Sequence, residues 1–299
     1  MPAASVPLVI ESLGALASAD VEAVRELAAA VTAADGVAPL SEQSLLRLED
    51  ASAGAQRVLA RQHAEIVGYG QLDGDGSAEL TVDPSHRRQG VGRALLEALA
   101  AQPSAEGLRV WAHGDGAGAR ALASRMGYER SRVLLQLRRE LGGELPEAVW
   151  PPGVTVRTFE PGRDEAAWLA VNAAAFATHP EQGRWRMADL EQRERQAWFD
   201  PQGFFLAERD GAVVGFHWTK IHRKEEPPIG EVYVVGVLPA TGGQGLGRVL
   251  TLVGLEHLRS SGLASVLLYV DESNVAAMKT YERLGFTRWA TDVMYSRPA

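Results

Sequence analysis

The chain has 299 residues, no cysteine and a formal net charge of −8. An acidic chain argues against a nucleic-acid partner, because neutralising phosphates needs a basic surface. The lack of cysteine excludes disulfides, a thiolate nucleophile and Cys-ligated zinc. No stretch approaches the ~20 apolar residues that span a bilayer, and no basic segment precedes an apolar run at the N-terminus. We therefore expect a cytoplasmic monomer with neither nucleic acid nor membrane as a partner.

Predicted strands and helices alternate through the first half of the chain. The apolar patterns indicate strands at residues 6–12, 57–71 (two strands around a turn), 77–82, 108–112 and 132–138, and helices at 18–34, after Ser41, at 91–101 and at 119–125. Residues 18–20 are the predicted N-cap of the first helix. His63, His86 and His113 have no metal-ligand spacing and are predicted to be surface or loop residues. Residues 140–153, rich in proline and glycine, are predicted to be a linker.

The second half continues the same alternation. The patterns indicate strands at residues 154–159, 204–208, 213–221 and 231–238, and helices at 164–176, from 246 onward and at 274–283, with a further strand that contains Tyr269 before the last helix. Asp210-Gly211 marks the turn of a hairpin. Pro239 has no N–H to give to a ladder and is predicted to end the strand before it.

Two segments about half the chain apart are similar to each other. Seven residues recur 155 positions later: Val82, Pro84, Gln89, Gly90, Gly92, Arg93 and Leu95 match Val237, Pro239, Gln244, Gly245, Gly247, Arg248 and Leu250. Further on, Met126-Gly127-Tyr128 matches Leu284-Gly285-Phe286 after 158 positions. The chain is therefore predicted to be a duplication, with domains at 1–139 and 154–299.

Each copy has a glycine loop between a strand and a helix. The free N–H groups of the helix's first turn, at its positive dipole end, would hold a phosphate or pyrophosphate. The second loop, residues 242–247, is not a Walker A loop, because Arg248-Val249 follows where Lys-Ser/Thr is needed. It is not a complete dinucleotide fingerprint either, because the last glycine position falls on Arg248.

The order of these motifs resembles the GNAT superfamily of N-acetyltransferases. Residues 87–92 fit its Arg/Gln-x-x-Gly-x-Gly/Ala loop, and residues 242–247 fit at both motif glycines but have Gly242 where Arg or Gln is usual. The resemblance implies an α/β fold of two tandem GNAT-like domains, each a twisted, mixed, mostly antiparallel sheet flanked by helices. It also implies that the loops hold the pyrophosphate of acetyl-CoA and that no metal takes part.

Several segments resemble the mycothiol synthase family in particular. They are residues 34–39, 176–183, 231–237 and 268–286. This resemblance implies acetyl transfer to the cysteine amine of 1D-myo-inositol 2-(L-cysteinylamino)-2-deoxy-alpha-D-glucopyranoside, a small thiol pseudo-disaccharide, giving mycothiol in the last step of its biosynthesis. Two alternatives stay open: a GNAT enzyme for another amine (an aminoglycoside, a polyamine or a protein N-terminus), and a non-enzymatic acyl-CoA-binding regulator.

Acetyl transfer to an amine needs a base for the ammonium, a donor for the oxyanion and an acid for the departing thiolate. Glu231 begins a largely apolar strand, and the resemblance assigns the general base to it. Tyr281 lies on the predicted helix 274–283, and the resemblance implies that it protonates the thiolate. The N–H of Val237 is predicted to be the oxyanion donor, at an interruption of the strand near Gly236.

The remaining site residues are implied by the resemblance. The donor contacts are expected from Leu80, Thr81, Val82, Arg88, Gln89, Gly90, Val91, Gly92, Arg93, Val235, Gly236, Val237, Gly242, Gly243, Gln244, Gly245, Leu246, Gly247, Arg248, Asn274, Val275, Ala276, Ala277, Met278 and Lys279. The acceptor contacts are expected from Asp35, Glu181, Lys220, Glu231 and Tyr269. Asp35 before a glycine is equally explained by turn chemistry.

The two copies differ at the catalytic positions. Counting along the repeat, Gly76 stands opposite Glu231, and Ala123 stands opposite Tyr281. The N-terminal copy nevertheless keeps arginines at residues 87–88 of its loop. We therefore expect the chemistry in the C-terminal domain, and we expect the N-terminal domain to bind acetyl-CoA without turnover or only to stabilise the fold.

Overall fold

The computed structural model describes residues 7–49, 54–103, 107–179 and 182–297. The first half of the chain contains β1 (Val9–Leu13), α1 (Ser18–Asp35), α2 (Glu42–Leu46), β2 (Gln56–Gln62), β3 (Glu65–Leu72), β4 (Ser77–Val82), α3 (Val91–Ala100), β5 (Arg109–Ala112), α4 (Ala117–Met126) and β6 (Glu129–Glu140). The second half contains β7 (Val154–Thr158), α5 (Glu165–Ala175), α6 (Met187–Glu194), β8 (Phe204–Arg209), β9 (Ala212–His222), β10 (Ile229–Val237), α7 (Leu246–Ser260), β11 (Ser265–Asp271), α8 (Val275–Arg283) and β12 (Thr287–Ser296).

The chain divides into two compact units, each with a mixed sheet. Unit 1 has the strand order β1-β2-β3-β4-β5-β12-β6, with β1 to β4 antiparallel and β5 parallel to β4. Unit 2 has the order β12-β6-β11-β10-β9-β8-β7, with β7 to β10 antiparallel and β11 parallel to β10. The prediction of two tandem α/β domains with mixed, mostly antiparallel sheets is confirmed.

Two strands are divided between the units, in contrast to the contiguous domains expected from the sequence. Unit 1 comprises residues 1–135, 271–273 and 290–299, and unit 2 comprises residues 136–270 and 274–289. The last residues of β12 pair with β5 in unit 1, where Val293 lies opposite Ala112. Each unit therefore contains a strand segment from the other half of the chain.

Unit 1 packs helices on both faces of its sheet. On β2, Val58 and Ala60 belong to the core beneath α3, and Leu59 between them belongs to the core beneath α1. This alternation is the two-residue period of a strand. Val293 and Tyr295 of β12 are buried in the α3 core, so the end of the chain is part of the hydrophobic core of unit 1.

Unit 2 has an aromatic core on one face of its sheet. Trp168 of α5 meets the rings of Phe204, Phe216 and Trp218 edge-on, at centroid distances of 5.7, 5.3 and 5.8 Å. Edge-to-face pairs at this distance are favourable because the positive ring edge meets the negative ring face. The opposite face is covered by α7, which packs against β8 and β9.

Local signals located most elements but not every cap. Ser41 caps α2 as predicted, accepting a hydrogen bond from the amide of Ser44 at 3.2 Å. The predicted cap of α1 at residues 18–20 is wrong, because Ala17 occupies the N-cap and has no side-chain acceptor. The helix α6 and the strand β12 are absent from the predicted elements. Within the described part of the chain, no helix combines the length and the apolarity that crossing a membrane requires.

Candidate active site

Glu231 lies near the start of β10 in unit 2 and is 7% exposed. Across the ladder it stands opposite Lys220 of β9 on one side and Leu267 of β11 on the other. Its Oε2 is 2.7 Å from Nε2 of His222, at the end of β9. The structure therefore brings together a buried carboxylate, an ammonium-bearing residue and an imidazole at one place on the sheet.

The parallel pairing of β10 with β11 stops soon after Glu231. The last pair is Val232 with Leu268, and the register with β9 shifts between Val232 and Val234, so that Tyr233 is an extra, bulged residue. The predicted interruption near Gly236 is therefore placed wrongly, and it lies at Tyr233. Beyond the bulge, the side of β10 that faces β11 is open for another molecule.

The open side of β10 presents backbone donors. The amide of Leu238 donates to the carbonyl of Val214 on β9 at 2.9 Å. Because successive N–H groups of a strand point in opposite directions, the amide of Val237 points away from β9 and into the opening. This is the orientation that an oxyanion donor at Val237 requires.

The glycine loop follows β10 and leads into α7. Gly243 and Gly245 have positive φ values of 77° and 79°, and Gly245 is the N-cap of α7. Only glycine adopts such angles without strain. Gln244 between them accepts a hydrogen bond from Arg209 at 2.8 Å. The first turn of α7 thus starts with unobstructed N–H groups, as the prediction for residues 242–248 requires.

Tyr281 lies on α8, whose N-terminus is capped by Asn274 through a 3.1 Å bond from the amide of Ala277. The Tyr281 ring is buried and packs edge-on against Phe286 at 5.7 Å. Burial raises the pKa of Tyr281 above its ordinary value, so the hydroxyl stays protonated. Within the described residues this hydroxyl has no hydrogen-bond partner, so its proton is available to a ligand.

Lys220 lies in an aromatic setting beside Glu231, not at a solvated strand end. Its ammonium is 4.3 Å from the ring centroid of Trp198 and 5.2 Å from that of Tyr233, and the residue is 8% exposed. Arg193 of α6 donates to the Tyr233 hydroxyl at 2.8 Å. Arg193 and His222 are site residues that the sequence analysis did not find, because no motif marks them and only the fold brings them to β10.

Tyr269 lies on β11, directly after the last residue that pairs with β10. The residue is 45% exposed, and its hydroxyl accepts a hydrogen bond from Gln136 of β6 at 2.8 Å. Glu181, the other predicted acceptor contact of this half, lies outside the described residues. Among the residues that are described, no group of three or more His, Asp or Glu side chains is placed to hold a metal ion.

Unit 1 repeats the open strand and the glycine loop. The pairing of β4 with β5 stops at Glu79 and Trp111, and Gly90 caps α3 with a φ of 90°. The first loop arginine is engaged, since Arg87 makes two bonds to the carboxylate of Asp35, at 2.8 and 2.7 Å. Asp35 therefore ends α1 next to the loop that is predicted to hold acetyl-CoA.

His113 of unit 1 lies in the turn that follows β5, as the prediction of a surface or loop residue allows, but its side chain is only 14% exposed and lies between two carboxylates. Its Nε2 is 3.2 Å from Glu79 and its Nδ1 is 3.1 Å from Asp292 of β12. Burial lowers the pKa of His113, but the hydrogen bonds and charges of Asp292 and Glu79 outweigh burial and raise it to about 10. The ion-paired imidazolium follows β5, near the point where β4 and β5 separate.

Family models match both halves of the chain. Residues 54–130 match an acetyltransferase (GNAT) domain, and residues 168–286 match the acetyltransferase (GNAT) family. A GCN5-related N-acetyltransferase from Sphaerobacter thermophilus superposes with a TM-score of 0.70 at 26% identity, over 99% of this chain and 98% of its own. A tandem GNAT protein from the clavulanic acid biosynthesis pathway shares the fold, with a TM-score of 0.74 at 20% identity over 98% of this chain and 100% of its own. The fold and the site define an acetyl-CoA-dependent N-acetyltransferase of the GNAT class.

Curated relatives narrow the class further. The mycothiol acetyltransferase of Thermomonospora curvata is 58% identical over 291 residues, which are 95% of this chain and 95% of the relative. That of Parafrankia sp. is 52% identical over 314 aligned residues, covering 96% of this chain and 98% of the relative. The chain belongs to the mycothiol acetyltransferase family, and the resemblance found in the sequence is confirmed.

Proposed function

We propose that this enzyme transfers the acetyl group of acetyl-CoA to the cysteine amine of 1D-myo-inositol 2-(L-cysteinylamino)-2-deoxy-alpha-D-glucopyranoside and so forms mycothiol. The names of relatives that are 58% and 52% identical over nearly the whole chain support this substrate. The observation that carries the mechanism is the position of Glu231. It is a buried carboxylate at the point where β10 and β11 stop pairing, which is where an acyl donor can enter the sheet.

Glu231 acts as the general base in this proposal. The acceptor amine is an ammonium at neutral pH and must lose a proton before its nitrogen can attack the thioester carbon. The proton goes to a carboxylate oxygen of Glu231, and the freed lone pair forms the new C–N bond. Lys220 stands opposite on β9, and its positive charge favours the neutral amine over the ammonium in the same space.

Two hydrogen-bond donors act on the tetrahedral intermediate: one stabilises its oxyanion, and the other protonates the thiolate that leaves. The amide of Val237 donates to the oxyanion from the open side of β10, a role supported by the Leu238 to Val214 bond that turns it outward. As the C–S bond breaks, the hydroxyl of Tyr281 gives its proton to the CoA thiolate. The attacking nitrogen, which carries an excess proton, restores the proton of Tyr281. Both roles fit a phenol kept neutral by burial.

Acetyl-CoA lies along the open side of β10 in this proposal, with its pyrophosphate on the loop 242–248 and its pantetheine beside residues 235–237 and the first turn of α8. For the acceptor we propose contacts from Lys220, Glu231 and Tyr269 of unit 2, while the contacts of Asp35 and Glu181 stay predictions from the family resemblance. Unit 1 binds acetyl-CoA without turnover or only stabilises the fold, because the repeat places no carboxylate and no tyrosine at its catalytic positions. The net charge of −8 argues against nucleic acid as a partner, and we infer further that the enzyme is a cytoplasmic monomer without a membrane partner.

The test is CoA release from acetyl-CoA with this pseudo-disaccharide as acceptor, for wild type, Glu231→Gln and Tyr281→Phe. Removing a general acid or base costs about 10²–10⁴ in rate, so we expect both variants to lose that much in kcat. Glu225→Gln, a carboxylate removed from an exposed loop, is the matched control and should keep wild-type activity. Wild-type turnover of another amine but not of this acceptor would overturn the substrate, and acetyl-CoA binding without turnover of any amine would favour the regulator.

A further inference from the structure

His222 is the only described side chain that makes a hydrogen bond or an ion pair with Glu231. The distance of 2.7 Å between Nε2 and Oε2 is that of a charge-assisted bond. Because an ionised carboxylate can only accept, Nε2 must carry the hydrogen. The imidazole is 29% exposed while the carboxylate side chain is 9% exposed, so His222 lies between the base and solvent.

The sheet places two basic residues of β9, Lys220 and His222, near the carboxylate of Glu231. Lys220 stands directly across the ladder from Glu231, and His222 stands two residues further along β9. The Lys220 ammonium lies over the rings of Trp198 and Tyr233, which attract a cation through their negative faces. Oε2 of Glu231 is held by His222, and this leaves Oε1 for a substrate proton.

We propose that His222 is a positioning residue for the acetyl-transfer reaction: its Nε2–H holds the carboxylate of Glu231 in the rotamer that can take the proton of the acceptor ammonium. This inference rests on the proposed role of Glu231 as base. In the proton step, the N–H bond of the ammonium breaks, an O–H bond forms on Oε1, and the hydrogen bond to Oε2 stays in place. Without His222, the carboxylate is free to turn towards Lys220 across the ladder, and its oxygens then no longer face the acceptor ammonium.

The kinetic test compares His222→Ala and His222→Gln with wild type, using CoA release with the same acceptor. Loss of a group that orients a reactive side chain costs about 10–100-fold, so His222→Ala should lose that factor in kcat while the KM for acetyl-CoA stays within about twofold. His222→Gln should keep more activity, because its amide N–H reaches a similar position. His63→Asn, at an exposed turn between β2 and β3, is the matched control.

Added imidazole separates positioning from a purely structural role. Since His222 is partly exposed, free imidazole can enter the space left in His222→Ala and donate to Glu231. We expect a saturable recovery of kcat in His222→Ala and none in Glu231→Gln, which also controls for acetylation of imidazole itself. An unchanged kcat in His222→Ala, or an equal loss in both His222 variants with no recovery, would overturn the proposal.

The contact between His222 and Glu231 can also be measured without any turnover, so its test does not depend on the proposed substrate. In the ¹H–¹⁵N spectrum of the histidine rings, Glu231→Gln should shift the Nε2 resonance of His222 and leave His63 unchanged. If wild type releases no CoA with this acceptor, the proposed substrate fails, yet the spectrum still decides whether His222 holds Glu231. An unshifted Nε2 resonance would sink the positioning role.

Discussion

The histidines His217 and His113 have opposite charge states because their partners differ. The Nδ1–H of His217 donates a hydrogen bond to the carbonyl of Leu250 at 2.7 Å. Burial lowers the pKa of His217 to about 4, so its imidazole is neutral. Partial burial also lowers the pKa of His113, but the hydrogen bonds and charges of Asp292 and Glu79 raise it to about 10, so it is charged. Burial alone would have made both neutral, and the carboxylates decide the difference.

The charged histidine makes the stability of unit 1 depend on pH. The folded pKa of His113, about 10, lies above the ordinary value of 6.5. Its contribution is therefore fully present below pH 6.5 and is lost as pH rises towards 10. We expect wild type to lose up to about 1.4 kcal/mol of unfolding free energy per pH unit in that window, relative to His113→Gln.

Hydrogen exchange of the amides of β4 and β5, corrected for intrinsic rates, measures that difference in unit 1. Breaking a buried ion pair by removing one partner costs about 3–5 kcal/mol, so His113→Gln should also be less stable near pH 6. Parallel pH dependences in the two proteins would show that His113 does not titrate as stated.

At the scale of elements, the helix α7 packs closely against β9 where the ring of His217 lies against Gly254 of α7. A Cβ on Gly254 of α7 would lie 2.0 Å from Cε1 of His217, a separation that no atoms tolerate. Gly118, in the first turn of α4, has no atom within 4 Å of such a Cβ. The same substitution therefore has opposite consequences in the two helices.

Gly118→Ala should stabilise the protein by about 0.4–1 kcal/mol, because alanine reduces the freedom of the unfolded chain. Gly254→Ala should destabilise it by about 1–3 kcal/mol, because a packed core must shift to admit the methyl group. Urea denaturation of the two variants beside wild type measures both signs. A stabilising Gly254→Ala would mean that the contact with His217 is not rigid.

The sequence located strands and helices well where local signals are strong, and it failed at the register of β10. The 155-residue offset that matches the loops holds for Val82 and Val237 but breaks at the bulge, because Tyr233 is an extra residue. Val232 pairs with Leu268 as Ala78 pairs with Val110. Ser77, not Gly76, is therefore the counterpart of Glu231, and unit 1 still lacks a carboxylate there. A bulge leaves no fixed mark in a sequence, so the counterpart could not have been found by counting.

At the scale of the whole molecule, the folding unit is not the repeat unit. The sequence repeat suggests a domain at 1–139, but unit 1 also needs β12, which pairs with β5 and brings Asp292 to His113. Tyr295 of the same strand donates to Asp115 at 2.6 Å. Strand partners that are about 180 residues apart are chosen by tertiary packing, which no local pattern reports.

A fragment of residues 1–139 should therefore fail to fold cooperatively. It lacks two core residues, Val293 and Tyr295, and it leaves the buried imidazolium of His113 short of one carboxylate. A fragment in which residues 287–297 are joined to 1–139 by a flexible linker should recover a cooperative urea transition. Circular dichroism of both fragments is the measurement, and a cooperative transition for residues 1–139 alone would contradict the assignment of β12 to unit 1.

The place of β12 has a consequence for synthesis on the ribosome. Proteins are made from the N-terminus, and their first domain ordinarily folds while the next is being translated. Here the first unit waits for the last strand, since Val293 and Tyr295 complete its core. At about 5–20 residues per second, the roughly 160 residues between β6 and the end of β12 take on the order of 10–30 s to emerge. During that time the open edge of β5 is exposed to other nascent chains, so translation order makes this unit dependent on residues that are synthesised long after the rest of it.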